Sequence, residues 1–70
     1  MINLFVRNKI KEVCQQKNMT LRELSELTGI GEHTIYNLQG RNLRIENAAR
    51  IMVALDASFD ELFEVVVLSK

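Results

Sequence analysis

Residues 20–29 mark both ends of one short helix. Thr20-Leu21-Arg22-Glu23 has the form of a capping box, in which the Thr20 hydroxyl accepts a hydrogen bond from the Glu23 amide and the Glu23 carboxylate accepts one from the Thr20 amide. Gly29 predicts the end of this helix, because glycine adopts a positive φ without steric cost. The segment therefore predicts a helix of about two turns followed by a tight turn, with Leu24 and Leu27 on its apolar face.

Comparable signals divide the rest of the chain into short helices. Asn3 is positioned to cap the first, and Asn18 is suited to end it in a left-handed conformation. Gly40 ends the third, and Ser58 opens the last with a second capping box. The four further helices are expected at about residues 4–17, 32–39, 44–55 and from 58 to at least 64.

These helices favour a single, small, all-α domain spanning residues 1–70. The chain contains no proline and only three glycines, which disfavours a sheet-rich fold with many turns. The β-branched tail at residues 65–68 is compatible with either a strand or an extension of the fifth helix.

Two helices joined through Gly29 are the central unit of the chain. A small residue, Ser25, lies where they would cross. The side chains expected to point into their shared core are Leu24, Ile30, Ile35 and Leu38. Over about residues 7–64, this spacing resembles the helix-turn-helix of the Cro and phage-repressor family of bacterial DNA-binding regulators. The resemblance implies a compact five-helix domain like that of the lambda repressor, with the motif at about residues 20–39.

The resemblance further implies a sequence-specific transcriptional regulator whose recognition helix, about residues 31–39, enters the major groove of double-stranded DNA. Asparagine can pair with adenine through two hydrogen bonds, and glutamate can accept one from the cytosine amino group. The residues expected to face bases are Glu32, His33, Tyr36 and Asn37. The residues expected to contact phosphates are Thr20, Arg22, Thr34, Arg41, Asn42 and Arg44.

The sequence departs from the family pattern at two places. The glutamine that usually opens the second helix is replaced by Leu21, which removes a common DNA contact. The recognition helix carries no arginine or lysine, and the phosphates would repel Glu32. Basic contacts must therefore come from the first helix and from the loop at residues 41–44, which predicts modest affinity for each monomer.

The distribution of charge agrees with a polyanionic partner. The net charge is zero, but residues 1–44 carry +3 and residues 45–70 carry −3. DNA would therefore approach the first part of the chain.

The apolar residues of the fourth helix and the tail exceed what one small core can use. We expect a symmetric homodimer, with an interface formed by Phe59, Phe63, Val65 and Val67. The alternative is that the tail folds back onto its own domain. Two other functions stay open: a protein-interaction module that keeps the fold without binding DNA, and an antitoxin-like protein whose tail binds a toxin.

Several classes of function have no support in the sequence. One cysteine, Cys14, cannot form an internal disulfide and is typical of a reducing compartment, so a cytoplasmic protein is expected. No apolar stretch approaches the roughly 20 residues that span a bilayer, so no membrane partner is expected. His33 has no cysteine or second histidine nearby, so no metal site is expected. No catalytic set is recognisable, so neither an enzymatic activity nor a cofactor is expected.

Overall fold

A computed structural model describes residues 1–70. The elements in chain order are β1 (Asn3–Asn8), α1 (Ile10–Gln16), α2 (Leu21–Thr28), α3 (Glu32–Tyr36), a 3-10 turn (Gly40–Asn42), α4 (Ile45–Leu55), α5 (Phe59–Leu62) and β2 (Phe63–Ser69). None of these helices has the length and apolar character needed to cross a membrane.

The helix ends lie where the sequence signals place them in α2 and at the start of α5. Both capping boxes are confirmed. The Thr20 and Ser58 hydroxyls accept hydrogen bonds from the backbone amides of Glu23 and Glu61, and the carboxylates of these glutamates accept from the backbone amides of Thr20 and Ser58. Gly29 adopts φ +73° and Asn18 adopts φ +56°, as expected for residues that end helices. These features depend on contacts between near neighbours in sequence, which is why the sequence predicts them.

The all-α prediction is wrong, because β1 and β2 form a two-stranded antiparallel sheet. The predicted first helix is divided into β1 and a shorter α1. The third helix ends at Tyr36 instead of residue 39, and the fifth ends at Leu62 instead of continuing to Glu64. Val6 faces Val65 and Leu4 faces Val67 across the strands. Such cross-strand pairs stabilise apolar and β-branched segments as strands, but the two strands come from opposite ends of the chain. The tail thus folds back onto its own domain, and this pairing still leaves Val65 and Val67 about half exposed on β2.

The core draws residues from all five helices and from the start of β2. Its most completely buried side chains belong to Ile10, Cys14, Leu24, Ile35, Leu38, Ile51 and Leu62. The expected inward orientation of Leu27 is wrong, since this side chain is 65% exposed. In α2 the inward stripe is formed by Leu21, Leu24 and Thr28 instead, a spacing of three and then four residues.

We predict that Gly29→Ala lowers the free energy of unfolding by about 1–2 kcal/mol, because an alanine at φ +73° is strained even though its Cβ would meet no neighbouring atom. Urea denaturation followed by circular dichroism measures the change. Gly31→Ala is the matched control, because Gly31 has φ −61° and equally open surroundings. Gly31 is the N-cap of α3, where alanine is a poorer cap than glycine, but alanine also lowers the conformational entropy of the unfolded chain. The two effects oppose each other, so the control should change the stability by no more than about 0.5 kcal/mol. Equal losses in the two variants would refute the role of the positive φ.

Candidate nucleic-acid interface

The orientation of α3 is set by two apolar side chains. Ile35 in α3 and Leu38 just after it are fully buried. With about 100° of rotation per residue, His33 lies opposite this buried side, and Tyr36 and Asn37 lie on either side of His33. The side chain of Glu32 is exposed farther around the helix. The outward face of α3 is therefore polar, as a surface that meets base edges requires.

A concave surface joins α3 to the turn that follows it. Gly40 adopts φ +54° and starts the 3-10 turn, which leads the chain from the end of α3 to the start of α4. No hydrophobic residue lines this surface, which we call the polar groove. Its lining residues are His33, Thr34, Asn37, Arg41, Asn42 and Arg44. The structure thus brings together two of the four residues expected to face bases and four of the six expected to contact phosphates.

The groove carries two cationic side chains without acidic partners. Arg41 and Arg44 are exposed, and neither takes part in the three ion pairs of the chain. A guanidinium group presents donors in a fork that matches a phosphate. Both arginines are therefore available to an anion without first breaking an internal ion pair.

The side chain of Asn37, the residue that follows α3, is already hydrogen bonded to α3. Its Nδ2 donates to the His33 carbonyl oxygen at 2.9 Å and lies 3.2 and 3.4 Å from the two ring nitrogens of His33. A bidentate pair with adenine needs both the amide nitrogen and the amide oxygen of asparagine. Asn37 must therefore rotate away from His33 before it can form that pair.

Tyr36 lies outside the polar groove. It lines a separate depression whose charged side chains are Arg7, Lys11 and Glu12. Because Arg7 is paired with Glu64, Lys11 is the cation of this depression that has no ion pair. Glu32 lines neither surface. Of the four residues expected to face bases, two therefore line the polar groove, Tyr36 lines the separate depression, and Glu32 lies outside both.

The start of α2 also lies outside the groove, and the polar groups of Thr20 are already hydrogen bonded. The Thr20 amide donates to Glu23 Oε1 at 3.1 Å, and the Thr20 hydroxyl contacts the same oxygen. The Glu23 carboxylate thus occupies a position where a phosphate oxygen would bind. Arg22 remains largely exposed, with Glu26 3.6 Å away as its only ionic partner.

Two ionisable groups have shifted pKa values, and neither belongs to the polar groove. Burial raises the pKa of the Cys14 thiol, which keeps it protonated in the core. Hydrogen bonds from the backbone and hydroxyl of Ser58 lower the pKa of Glu61, which keeps this carboxylate ionised in its capping box.

The residues expected to form a dimer interface have different environments. Phe63 is only 2% exposed and packs in the core, so it offers no surface to a second chain. Phe59 is half-buried, and its ring centroid lies 4.8 Å from that of Phe63. Val65 and Val67 are about half exposed on β2.

Sequence reasoning missed Asn8, whose side chain connects β1 to α3. Its Nδ2 donates to the carbonyl oxygens of Ile35 and Leu38, and its Oδ1 accepts from the Ile10 amide. The available signal was an asparagine two residues before an apolar helix stripe, a position where its side chain can satisfy the helix start. The contacts with α3, by contrast, have no local signal, because they join residues about 30 positions apart.

Comparison with known proteins gives two matches. The family model of the Cro/C1-type HTH DNA-binding domain matches residues 9–67. The SPbeta prophage-derived uncharacterized HTH-type transcriptional regulator YopS of Bacillus subtilis (strain 168) is 41% identical over 58 residues, which cover 79% of this chain and 78% of that protein. No solved structure matches.

Proposed function

Because the chain belongs to the Cro/C1-type helix-turn-helix DNA-binding domain family, we propose that it is a sequence-specific transcriptional regulator that inserts α3 into the major groove of double-stranded DNA. The polar groove carries this proposal. It combines an exposed helix face with two unpaired arginines and excludes hydrophobic side chains.

The groove residues have distinct roles in this proposal. Asn37 and His33 reach base edges, after Asn37 gives up its hydrogen bonds within α3. Arg41 and Arg44, which both line the polar groove, bind phosphates of the duplex and determine the register of α3 on it. Tyr36 and Lys11 supply a second contact on the other side of α3.

The similarity to YopS supports the regulatory part of this function. The matched segment covers more than three quarters of each chain, and the relative's name describes a transcriptional regulator. We infer the same type of activity for this protein.

The protein is proposed to act as a homodimer. On the sheet, Val65 and Val67 lie half exposed on β2, and Leu4 lies opposite Val67 with 48% of its side chain exposed. A two-stranded sheet is only marginally stable by itself, and covering this apolar face with a second copy would stabilise it. A symmetric dimer would read two half-sites about one helical turn, or about 34 Å, apart.

We predict that Asn37→Ala and Arg41→Ala weaken DNA binding in different ways. The ligand is a duplex selected from a random library at low salt, and a scrambled duplex serves as the non-specific ligand. Asn37→Ala should cost about 1–3 kcal/mol on the selected duplex and little on the scrambled one. Arg41→Ala should weaken binding to both duplexes. It should also reduce the slope of log affinity against log salt by about 0.9 for each protein chain bound, because each chain loses one phosphate contact.

Arg50→Ala is the matched control for the loss of a positive charge. Arg50 lies on α4, pairs with Glu46 at 2.9 Å and does not line the polar groove. Arg50→Ala should leave the slope of log affinity against log salt unchanged. Failure to select any duplex, or identical behaviour of Arg41→Ala and Arg50→Ala, would count against the proposed interface.

A further inference from the structure

The recognition helix α3 is too short to hold its own position. It has five residues, and no side chain caps its start. Helices of this length have little stability in water, and their last carbonyl groups lack partners within the helix. The placement of α3 must therefore come from contacts with other parts of the chain.

Asn8, in β1, donates side-chain hydrogen bonds to the carboxyl end of α3. Its Nδ2 lies 2.8 Å from the Ile35 carbonyl oxygen and 3.2 Å from the Leu38 carbonyl oxygen. The Gln39 side chain adds a further hydrogen bond, because its Oε1 accepts from the backbone amide of Asn8 at 3.4 Å. One half-buried amide thus satisfies two carbonyls at the carboxyl end of α3.

The position of Asn8 is itself determined by the sheet and by α1. Asn8 pairs with Phe63 at the base of the two strands, and the adjacent Arg7 forms an ion pair with Glu64. Its Oδ1 accepts from the Ile10 amide at 2.7 Å, which orients the side-chain amide so that Nδ2 points to α3. The side chain therefore has little freedom to rotate.

A second contact joins the same strand to the polar groove. The ring of Phe5 in β1 lies against Gly40, so closely that a Cβ at Gly40 would be 2.8 Å from Phe5 Cε2. Gly40 stands immediately before Arg41. The strand β1 therefore contacts both the end of α3 and the start of the turn that carries Arg41.

We propose that Asn8 is a positioning residue for DNA recognition: its side-chain amide holds the carboxyl end of α3 to the base of the sheet and so determines where Asn37 meets the bases. The inference rests on the proposed function of α3. It also implies that the sheet, where a second copy is proposed to bind, is connected to the end of α3 through Asn8 and to the turn after α3 through Phe5.

Two substitutions of Asn8 test the proposal by separating its two hydrogen-bonding roles. Asn8→Asp keeps the acceptor for the Ile10 amide but replaces the two donated hydrogen bonds with repulsion between its oxygen and the carbonyls. Asn8→Ser keeps an acceptor near Ile10 and is too short to reach α3. For each folded variant, affinity is measured for the selected duplex and for the scrambled duplex at the same salt.

Both variants should lose at least about tenfold in affinity for the selected duplex, the scale of one lost bidentate base contact. For Asn8→Ser, affinity for the scrambled duplex should change by less than about twofold. Asn8→Asp also adds a negative charge in the depression that Lys11 lines, so it should weaken binding to the scrambled duplex as well, but by less than it weakens binding to the selected one. Ser58→Ala is the control, because it removes the α5 cap and lowers stability without touching α3. It should leave the ratio of the two affinities unchanged. The proposal would be overturned if the folded Asn8 variants lost equal affinity for both duplexes. It would also be overturned if their ratio of selected to scrambled affinity stayed within about twofold of the ratio in the parent protein.

A measurement on the parent protein keeps the test decisive even if neither variant folds. The side-chain amide protons of Asn8 should exchange with solvent more slowly than those of the exposed Asn42, as observed by nuclear magnetic resonance. Equal exchange rates would overturn the proposal without reference to DNA. A parent protein with protected Asn8 protons that selects no duplex would instead refute the proposed function.

Discussion

Ile51→Ala is expected to remove about 2–5 kcal/mol from the free energy of unfolding. Ile51 is fully buried on α4, and α4 packs against both α2 and α5. The substitution removes apolar contacts and leaves a cavity that the surrounding helices can close only in part. A chain of 70 residues typically has about 4–10 kcal/mol of stability in total, so this single change would remove a large part of it. Urea denaturation followed by circular dichroism measures the loss.

Ile45→Ala provides a matched control on the same helix. Ile45 is 88% exposed, so removing the same atoms creates no cavity. We expect a change of no more than about 0.5 kcal/mol. If the two alanine variants were equally stable, the assignment of the α4 face that packs into the core would be wrong.

Val67→Lys is expected to dissociate the proposed homodimer and weaken its DNA binding. In a two-fold interface that includes β2, each chain contributes the same residue, so the substitution introduces two positive charges in one apolar contact. Like charges brought together at an interface cost several kcal/mol, which corresponds to an increase of at least about 100-fold in the dimer dissociation constant. Sedimentation equilibrium measures the dissociation constant, and titration with the selected duplex measures the consequence for binding.

Val53→Lys separates this effect from a general effect of added charge. Val53 is 83% exposed and lies on α4, outside both strands of the sheet. Val53→Lys introduces the same lysine side chain as Val67→Lys. It should leave the dimer intact. A parent protein that stays monomeric when bound to its selected duplex, or a Val67→Lys variant that dimerises as well as the parent, would contradict the proposed interface.

The helix-turn-helix unit was predictable because its signals are local. Thr20 and Glu23 are three residues apart, and Gly29 needs only its own backbone angle to end α2. The orientation of α3 follows in the same way from Ile35 and Leu38, which point inward and leave the polar residues outside. The candidate site was predictable to the extent that it depends on this unit: six of its ten proposed DNA-contacting residues line one groove.

The sequence alone thus determined the capped helices and the polar face of α3, since each depends on residues within one or two helical turns of one another. Only the tertiary structure decided that residues 3–8 are a strand, because their partner strand lies at the other end of the chain and neither segment distinguishes strand from helix by itself. The same long-range pairing places Asn8 against the end of α3. A hydrogen bond between such distant residues depends on the packing of the whole chain, and that packing also buries Phe63 while leaving Leu27 exposed.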